Sequence, residues 1–589
     1  MEPVSAFAAY SKCKNAKELN ERKRKRNSQK ISNQKRKKQK AGKQTEGANL
    51  QIQPKEKIKS IKKLNNANNK IKLKGKINDS RNIHKKLKLK IMKKQNKKVK
   101  KTKKKSTQIT GTILKERVED SENNSNDINC VSHLNNISNE TNEEYHSNGN
   151  PIQDSQALFR WILDPIDIET FLSNYWEKTP VYVKRDVHNY YKHIVSTPLL
   201  DKMLRTNHIL FTKNIDITSY SNGVRETHNP PGRALPSIVW DYYQNKCSVR
   251  MLNPQTYIPM IHSLNATLQE FFGCFVGANL YLTPPNSQGF APHYDDVEAF
   301  ILQIEGQKRW RLYRPLNKNE YLPRYSSKNF DQSEIGKPIL DTIVKAGDLL
   351  YLPRGTIHQG MTVDNTHSLH VTLSVYQKNS WTDLLEKVLP QALKEAAEND
   401  CRFREGLPLD YLTYVGAAYD ASSHKDIFKN RVKNLITLLL EHIDIDNAAD
   451  LMAKNHIHDF LPPFLFKNER KCTVAEDGEI MTNNGRVQNH AEITPETRIR
   501  LLRLHCIRLI KEDTYKVYYS TENSKEFHEY EPQFFEVDEK FILGIKQLIN
   551  SYPDFISVKE VQIQNEDEKI QIMKDLWEKG LILTEHPLC

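Results

Sequence analysis

The sequence predicts an α+β protein whose central β-region is a jelly-roll barrel or sandwich, flanked by helical regions and preceded by a basic tail. Between residues 249 and 376, short β-rich runs alternate with Gly and Pro turn signals, as in small all-β barrels. On both sides of this region the apolar residues recur at helical spacing. The charge of the 589-residue chain also changes sharply along the sequence, as the spacing of the apolar residues does.

Positive charge is concentrated at the N-terminus. Residues 1–105 contain 38 Lys and Arg against 6 Asp and Glu, a local net charge of +32, so the rest of the chain carries −15 of the total of +17. Because residues 1–150 have few apolar side chains to bury, we expect them to be disordered. Their separate basic clusters favour import into the nucleus and nucleolus and loose contact with RNA or DNA; a merely solvated tail is the alternative.

The rest of the chain is acidic and has no obvious membrane or secretion signal. No apolar leader region or long apolar span stands out, and the eight cysteines include no Cys-x-x-Cys pair. We therefore expect a soluble intracellular protein without membrane contact and without a disulfide or zinc-ribbon framework. A negatively charged body suits basic protein targets.

The central strands can be assigned from their apolar runs, and helices precede them from Ala157 onward. The second and third runs are separated by Glu305 and Gly306, which we interpret as a turn. The five predicted strands are 279–283, 299–304, 309–313, 348–352 and 369–376.

The C-terminal third is predicted to be mainly helical. Helices are expected at 384–397 and 427–442; the second is apolar on most sides, so it is either covered by the core or self-associates, and the sequence leaves both alternatives open. A further unit is predicted to begin with a helix capped by Thr494. Helices at 540–550 and 566–579 and a strand at 581–584 then suggest a winged helix, whose acidic last helix would contact protein and not DNA.

The main chemical motif combines two histidines and a carboxylate. His293 and Asp295 are two residues apart on a predicted strand edge, so they point to the same face. Downstream, an apolar strand and a Pro/Gly turn lead to His358 and aim it back into the barrel mouth. Such a set can hold Fe(II) and leave three coordination positions open. His367 and His370 are weaker candidates because they belong to the next strand.

The same His-x-Asp pattern occurs a second time without this context. A chain with 20 His contains about one such pattern by chance. His424 and Asp426 lie in a polar stretch that opens a helix, so we interpret them as helix-start residues.

The site also needs a positive charge to bind the carboxylate of a co-substrate, and a lysine can supply it. Lys308 follows His293 by fifteen residues, and its neighbours Trp310 and Leu312 favour a buried strand, although a surface lysine is the alternative. A buried ammonium needs an anionic partner, so Lys308 is the candidate to bind the distal carboxylate of a dicarboxylate co-substrate.

Several segments resemble the ribosomal oxygenases, a family of JmjC-domain histidyl hydroxylases. The strongest are 279–295, 302–308 and 348–358, and shorter matches at 176–180, 252–257 and 403–408 extend the resemblance over roughly residues 155–589. The tail lies outside it, although a long basic N-terminus suits the nucleolar branch of the family.

This resemblance implies a domain order. After the tail (1–150), it implies a JmjC double-stranded β-helix of the cupin jelly-roll type (151–380), a helical dimerisation region (381–485) and a C-terminal winged helix (486–589). The protein is accordingly expected to form a homo-oligomer.

The resemblance also assigns residues to roles. It places iron on His293, Asp295 and His358, and 2-oxoglutarate on Lys308. The family positions that line the co-substrate and substrate pocket are matched here by Asn279, Tyr281 and Ser374.

The implied activity is that of an Fe(II)- and 2-oxoglutarate-dependent dioxygenase, with O2 as the second co-substrate. The expected target is a histidine of a large-subunit ribosomal protein, and demethylation of histone lysines is the competing activity. Two hypotheses come from other classes: a chromatin or pre-ribosome scaffold with a vestigial metal site, and a cupin metal isomerase. The intact Asp295 and Lys308 argue against a scaffold, and an isomerase would not need Lys308.

Overall fold

The computed structural model describes residues 149–589. The predicted tail up to residue 148, with its expected roles in targeting and nucleic-acid contact, lies outside the described residues. Within residues 149–589, no helix is long and apolar enough to cross a lipid bilayer.

Two N-terminal helices begin at polar caps. In α1 (Pro151–Leu163) the side chain of Asn150 accepts a hydrogen bond from the Ile152 N–H at 3.1 Å, and Pro151 occupies the first helical position. In α2 (Ile168–Asn174) the Asp167 carboxylate accepts from the Thr170 N–H at 2.8 Å. Both helices present their apolar sides to the barrel.

The barrel region contains ten strands and three further helices. In chain order these are β1 (Val181–Val183), α3 (Thr197–Thr206), β2 (Ile215–Ser221), β3 (Val224–Thr227), α4 (Pro236–Gln244), β4 (Ser248–Leu252), α5 (Pro259–Phe272), β5 (Gly277–Thr283), β6 (Glu298–Tyr313), β7 (Leu340–Lys345), β8 (Leu349–Leu352), β9 (Ile357–Thr362) and β10 (Ser368–Val375).

The longest strand, β6, belongs to both sheets of the barrel. Its first part pairs with β8 and β10, and its second part pairs with β7 and β9. The larger sheet has the order β1-β8-β6-β10-β5-β4-β2-β3. Two sheets of antiparallel strands that share one long strand form the predicted jelly roll, so the predicted fold class is confirmed.

The prediction of two strands joined by a Glu-Gly turn is wrong, because β6 continues through both residues. Gly306 has φ +64°, and a β-carbon at this position would lie 1.8 Å from the carbonyl oxygen of His367. Glycine therefore lets β6 pass close to the backbone of His367. The register of the pairing between β6 and β10 shifts between Leu369 and His370.

An aromatic cluster fixes the N-terminal helices on the larger sheet. Phe159 of α1 lies 5.7 Å from Phe300 of β6, and Phe171 of α2 lies 4.8 Å from Tyr351 of β8, as measured between ring centroids. All four rings are nearly inaccessible to solvent. Edge-on aromatic contacts of this kind add about 0.5–1.5 kcal/mol each to the gain from burial.

Three longer helices follow the barrel: α6 (Trp381–Asn399), α7 (Ser423–Leu439) and α8 (Ile445–Asp459). No residue of α7 is buried, and Ile436 and the following Leu440 remain 57% and 59% exposed. The helix predicted at 427–442 is therefore not covered by the core that residues 149–589 form. His424 and Asp426 lie in the first turn of α7, after the N-cap Ser422, as expected for helix-start residues.

The C-terminal region has its own core of aliphatic and aromatic residues. Its elements are α9 (Lys467–Arg470), β11 (Ile480–Met481), β12 (Val487–Gln488), β13 (Arg498–Leu501), β14 (Ile507–Lys511), β15 (Tyr515–Tyr519), β16 (Gln533–Val537), α10 (Ile542–Asn550), β17 (Ile556–Ser557), α11 (Glu566–Glu578) and β18 (Ile582–Thr584). The helices and strand predicted near its end are confirmed.

The helix predicted to start at Thr494 is not formed. The Thr497 N–H instead donates to the Thr494 carbonyl at 3.1 Å in a turn, and β13 follows directly. In β13, Ile499 and Leu501 are fully buried at alternate positions and pair with β18. Burial of this strand outweighs the local capping signal.

Polar contacts that are buried or partly buried tie the C-terminal region to the barrel. Glu270 of α5 accepts hydrogen bonds from the Leu504 N–H at 3.0 Å and from the Tyr552 hydroxyl at 2.6 Å. Gln269 accepts from the Leu461 N–H at 3.0 Å, and His262 donates to the Pro462 carbonyl at 2.8 Å. The barrel helix α5 thus holds the start of the C-terminal region in place.

Gly306→Ala is expected to destabilise the barrel strongly. The new methyl group would meet a backbone carbonyl, which costs about 1–3 kcal/mol as overpacking, and the left-handed backbone adds about 1–2 kcal/mol. Gly485→Ala is the matched control, since Gly485 also has positive φ (+74°) but no atom within 4 Å of the position that a new methyl group would occupy. Urea unfolding midpoints test this, and equal shifts in the two variants would contradict the account.

Candidate metal and co-substrate site

Three predicted ligands converge at the open end of the barrel. Nε2 of His293 lies 3.8 Å from one carboxylate oxygen of Asp295, and Nε2 of His358 lies 3.7 Å from the other. The two imidazole centroids are 4.6 Å apart. The ligand atoms of all three residues fall within 4.8 Å of one another, a spacing that can hold one metal ion.

Backbone hydrogen bonds fix this convergence. The His293 N–H donates to the His358 carbonyl at 3.2 Å, and the His358 N–H donates back to the His293 carbonyl at 2.8 Å. The Gly355 N–H donates to the Asp295 carbonyl at 3.0 Å. The segment before β6 and the start of β9 are therefore joined at the two histidines themselves.

The outer nitrogens of the imidazoles are also held. Nδ1 of His293 lies 2.8 Å from the Ala291 carbonyl, and Nδ1 of His358 lies 3.0 Å from the Thr356 carbonyl. A carbonyl can only accept, so both Nδ1 atoms carry the proton and both Nε2 lone pairs face the centre of the cluster. The pKa of His358 is lowered to about 4, mainly by burial and to a smaller extent by the nearby His293. This imidazole is therefore neutral.

Lys308 projects from β6 into the same cavity. It is 4% exposed, and its ammonium donates a hydrogen bond to the Thr283 hydroxyl at 3.3 Å. Burial lowers the pKa of this ammonium to about 7, since no carboxylate of the described chain neutralises it. The inward position on a buried strand decides against the surface-lysine alternative.

The cavity has a volume of about 490 Å³. Alternate residues of β5 and β10 face it, and these include the predicted Asn279, Tyr281 and Ser374. His293, Asp295, His358 and Lys308 line the same cavity. The structure therefore brings together all seven candidate residues.

The two weaker histidine candidates are not part of the triad. His367 contacts the Glu305 carboxylate at 3.0 Å, away from the triad. His370 lines the cavity beside Lys308, stacked on Tyr281 with centroids 4.9 Å apart, and burial keeps its pKa well below the usual value. Neither belongs to a metal-ligand cluster among residues 149–589.

Sequence reasoning missed several cavity residues. Arg250 forms an ion pair with Asp216 on the neighbouring strand, and the Ser326 and Ser327 hydroxyls bond the residues that flank Asp295. A charged residue inside the apolar strand β4 was a signal that could have revealed Arg250. The serines come from a polar loop whose sequence carries no such signal.

The donor set fits Fe(II) and a dicarboxylate. Two imidazoles and one carboxylate suit a divalent first-row metal. Deeper in the cavity, Nε1 of Trp310 and Nδ1 of His370 are buried without a hydrogen-bond partner among the described residues. Together with the ammonium of Lys308, these polar groups suit an oxygen-rich anionic ligand.

Asp295→Ala should lower divalent-metal affinity by more than about 100-fold, because even outer partners of metal ligands contribute 10–100-fold. The matched control is His424→Ala/Asp426→Ala, which removes the same sequence pattern from α7. Titration with Mn²⁺ followed by electron paramagnetic resonance measures the difference. Undiminished Mn²⁺ binding by Asp295→Ala would refute the assignment.

Two known domain families match parts of this chain. Residues 250–384 match the JmjC domain family, and residues 461–588 match the family described as the C-terminal winged helix domain of ribosomal oxygenase 1. Among solved structures, the ribosomal oxygenase YcfD from Escherichia coli, in complex with cobalt and 2-oxoglutarate, is 14% identical with a TM-score of 0.38, covering 72% of this chain and 99% of its own.

Curated relatives match over most of the chain. The bifunctional lysine-specific demethylase and histidyl-hydroxylase NO66 of Culex quinquefasciatus is 48% identical over 73% of this chain and 67% of its own length. Ribosomal oxygenase 1 of Danio rerio is 44% identical over 74% of this chain and 80% of its own length. By its domains and by these identities, the chain belongs to the JmjC-domain family of ribosomal oxygenase 1 and NO66.

Proposed function

We propose that this protein is an Fe(II)- and 2-oxoglutarate-dependent oxygenase that hydroxylates a histidine of a large-subunit ribosomal protein. The observation that carries the proposal is the convergence of His293, Asp295 and His358 in one cavity with the buried Lys308. When bound, the iron and 2-oxoglutarate activate O2 for insertion of one oxygen atom into a C–H bond, with succinate and CO2 as co-products.

The residues of the chain bind and orient the reactants. The two imidazoles and the carboxylate would hold the metal ion, and a ligand set of this kind would leave coordination positions free for the co-substrates. Lys308 lies deeper in the barrel, where its ammonium can bind the distal carboxylate of 2-oxoglutarate and fix its orientation. Apolar side chains around these groups, among them Leu352 and Ile301, exclude water from the reacting centre.

The names of the relatives support a histidine target in a ribosomal protein. NO66 of Culex quinquefasciatus is named a histidyl-hydroxylase as well as a lysine-specific demethylase, and the relative from Danio rerio is named ribosomal oxygenase 1. Demethylation of histone lysines is the second candidate activity.

The competing hypotheses fit the site less well. A scaffold with a vestigial metal site would have no use for intact ligands with hydrogen-bonded outer nitrogens. A cupin isomerase would not need an ammonium buried at 4% exposure without a carboxylate partner in the described chain. The membership in the oxygenase family favours the enzyme over both.

The proposal extends to partners and location. We also propose that the protein forms a homo-oligomer through the exposed apolar side chains of α7 and its neighbourhood. The basic tail is proposed to direct the protein to the nucleus or nucleolus, and it can also contact nucleic acid.

The C-terminal winged helix is proposed to contact protein. Its last helix, α11, starts with three acidic residues, and its Lys569 is bonded to Glu566 at 3.0 Å, so it offers phosphate little attraction.

The substrate assignment is tested with peptides. With Fe(II), 2-oxoglutarate and O2, the full chain should add one oxygen, about 16 Da, to a histidine-containing peptide of a large-subunit ribosomal protein. The same peptide with alanine for histidine is the control and should stay unmodified. Loss of methylene units from methylated histone peptides would instead support demethylation, and no peptide-dependent succinate from either set would refute the oxygenase proposal.

The affinity for 2-oxoglutarate should fall as pH rises above about 7. Below that pH the amine of Lys308 is already protonated, because its pKa is about 7. Above it, binding of the carboxylate must take up a proton, so the affinity drops by up to tenfold per pH unit, about 1.4 kcal/mol. Calorimetry on the Mn²⁺-loaded protein measures this dependence.

Two variants give the controls for this pH profile. Lys308→Met should bind 2-oxoglutarate weakly with a flat profile, because the titrating group is absent. Lys345→Met, which removes an exposed lysine of β7, should retain the wild-type slope. A wild-type slope in Lys308→Met would show that another group binds the carboxylate.

The oligomer proposal is tested on α7. Ile436→Glu places a charge at the centre of the exposed apolar face and should shift the chain to a monomer in analytical ultracentrifugation. Lys433→Glu, on an exposed position of the same helix, is the control. A monomeric wild-type chain, or an unchanged oligomer in Ile436→Glu, would contradict it.

A further inference from the structure

A second group of metal-binding side chains lies outside the catalytic cavity. His458 and Asp459 are the last two residues of α8, and His528 lies in the loop between β15 and β16. Their ligand atoms fall within 4.8 Å of one another, as those of the catalytic triad do. The two clusters are the groups of this kind found among residues 149–589.

The two imidazoles lie close together but are oriented differently from those of the catalytic triad. The rings of His458 and His528 are nearly parallel, at 9° with centroids 4.8 Å apart, whereas those of His293 and His358 are tilted by 53° with centroids 4.6 Å apart. His528 contacts the Asp459 carboxylate through Nε2. Two histidines and one carboxylate that meet in this way leave at least one coordination position for water.

The protonation pattern also suits a ligand. Nε2 of His458 lies 2.9 Å from the Tyr530 carbonyl, which can only accept a hydrogen bond. Nε2 therefore carries the proton and Nδ1 carries the lone pair. Metal-bound histidines commonly donate their other N–H to a carbonyl in this manner, which fixes both tautomer and ring orientation.

The local field favours a cation. Asp459 lies at the C-terminal end of α8, where the helix dipole contributes a partial negative charge although the Asn523 side chain donates to the Ile457 carbonyl at 2.7 Å. A carboxylate there needs positive charge nearby. Lys213 pairs with both Glu526 and Glu529, at 2.6 and 3.3 Å, so its single charge is already shared by two carboxylates, and His528 or a metal ion is left to balance Asp459.

We propose that His458, Asp459 and His528 form a second divalent-metal site with the donor chemistry of zinc. The ion would join the end of α8 to the β15–β16 loop. That loop also carries Phe527, whose ring lies 5.1 Å from Phe275, and both rings line the catalytic cavity. Occupancy of the second site would hold one wall of that cavity in place, independently of the reaction proposed for it.

The test uses Zn²⁺ and the full chain after removal of metal by a chelator. Equilibrium dialysis and mass spectrometric metal analysis should show that His528→Ala and Asp459→Asn each bind one Zn²⁺ fewer per chain than wild type. His490→Ala is the matched control, since His490 also pairs with an exposed carboxylate, Glu479, at 3.0 Å but belongs to no three-ligand group among the described residues. It should bind as much Zn²⁺ as wild type.

A second readout separates the site from the catalytic one. In His293→Ala/His358→Ala, added Co²⁺ should still give a visible absorption band, and this band should disappear when His528→Ala is added. Asp459→Asn preserves side-chain volume, and circular dichroism verifies that each variant is folded. Equal Zn²⁺ in wild type and both site variants, or no Co²⁺ band in the double variant, would overturn the proposal and leave the cluster as a His–Asp ion pair.

Discussion

The pair of backbone hydrogen bonds between His293 and His358 is the constraint on which the catalytic site depends. These bonds join two segments more than sixty residues apart at the positions of two of the three ligands, and the third ligand follows two residues after the first. With the backbone fixed there, and with both Nδ1 atoms bonded to carbonyls, the imidazoles have little freedom to turn away. The backbone that positions the three ligands is therefore in place before a metal ion binds.

The shared strand β6 links this metal site to the co-substrate site. Because β6 passes through Gly306 without a turn, one strand runs from the larger sheet into the smaller one and carries Lys308 into the cavity. Burying an ammonium without a carboxylate partner destabilises the free protein, as its lowered pKa shows. An anionic ligand removes this penalty, so part of the selectivity for a dicarboxylate is already present before the ligand arrives.

Much of the site could be predicted from the sequence because strand geometry is local. Side chains two apart share a face, so the pairing of His293 with Asp295 followed directly from their spacing. The predictions that failed depended on distant contacts. The Glu-Gly turn was wrong because the fit of Gly306 against the His367 carbonyl is a contact between strands, and the Thr494 helix was wrong because β13 is buried against β18. The resemblance to the ribosomal oxygenases supplied the remaining pocket residues, which spacing alone does not select.

The central claim is that one ferrous ion is held by His293, Asp295 and His358 while 2-oxoglutarate reaches Lys308. The most direct measurement is anomalous diffraction at the iron absorption edge, on crystals grown without oxygen in the presence of Fe(II) and 2-oxoglutarate. The account predicts an iron peak among the three ligand atoms and density for a carboxylate in contact with Nζ of Lys308. The account would be contradicted if the only iron peak lay at a different set of side chains. It would also be contradicted if the distal carboxylate of 2-oxoglutarate lay away from Lys308.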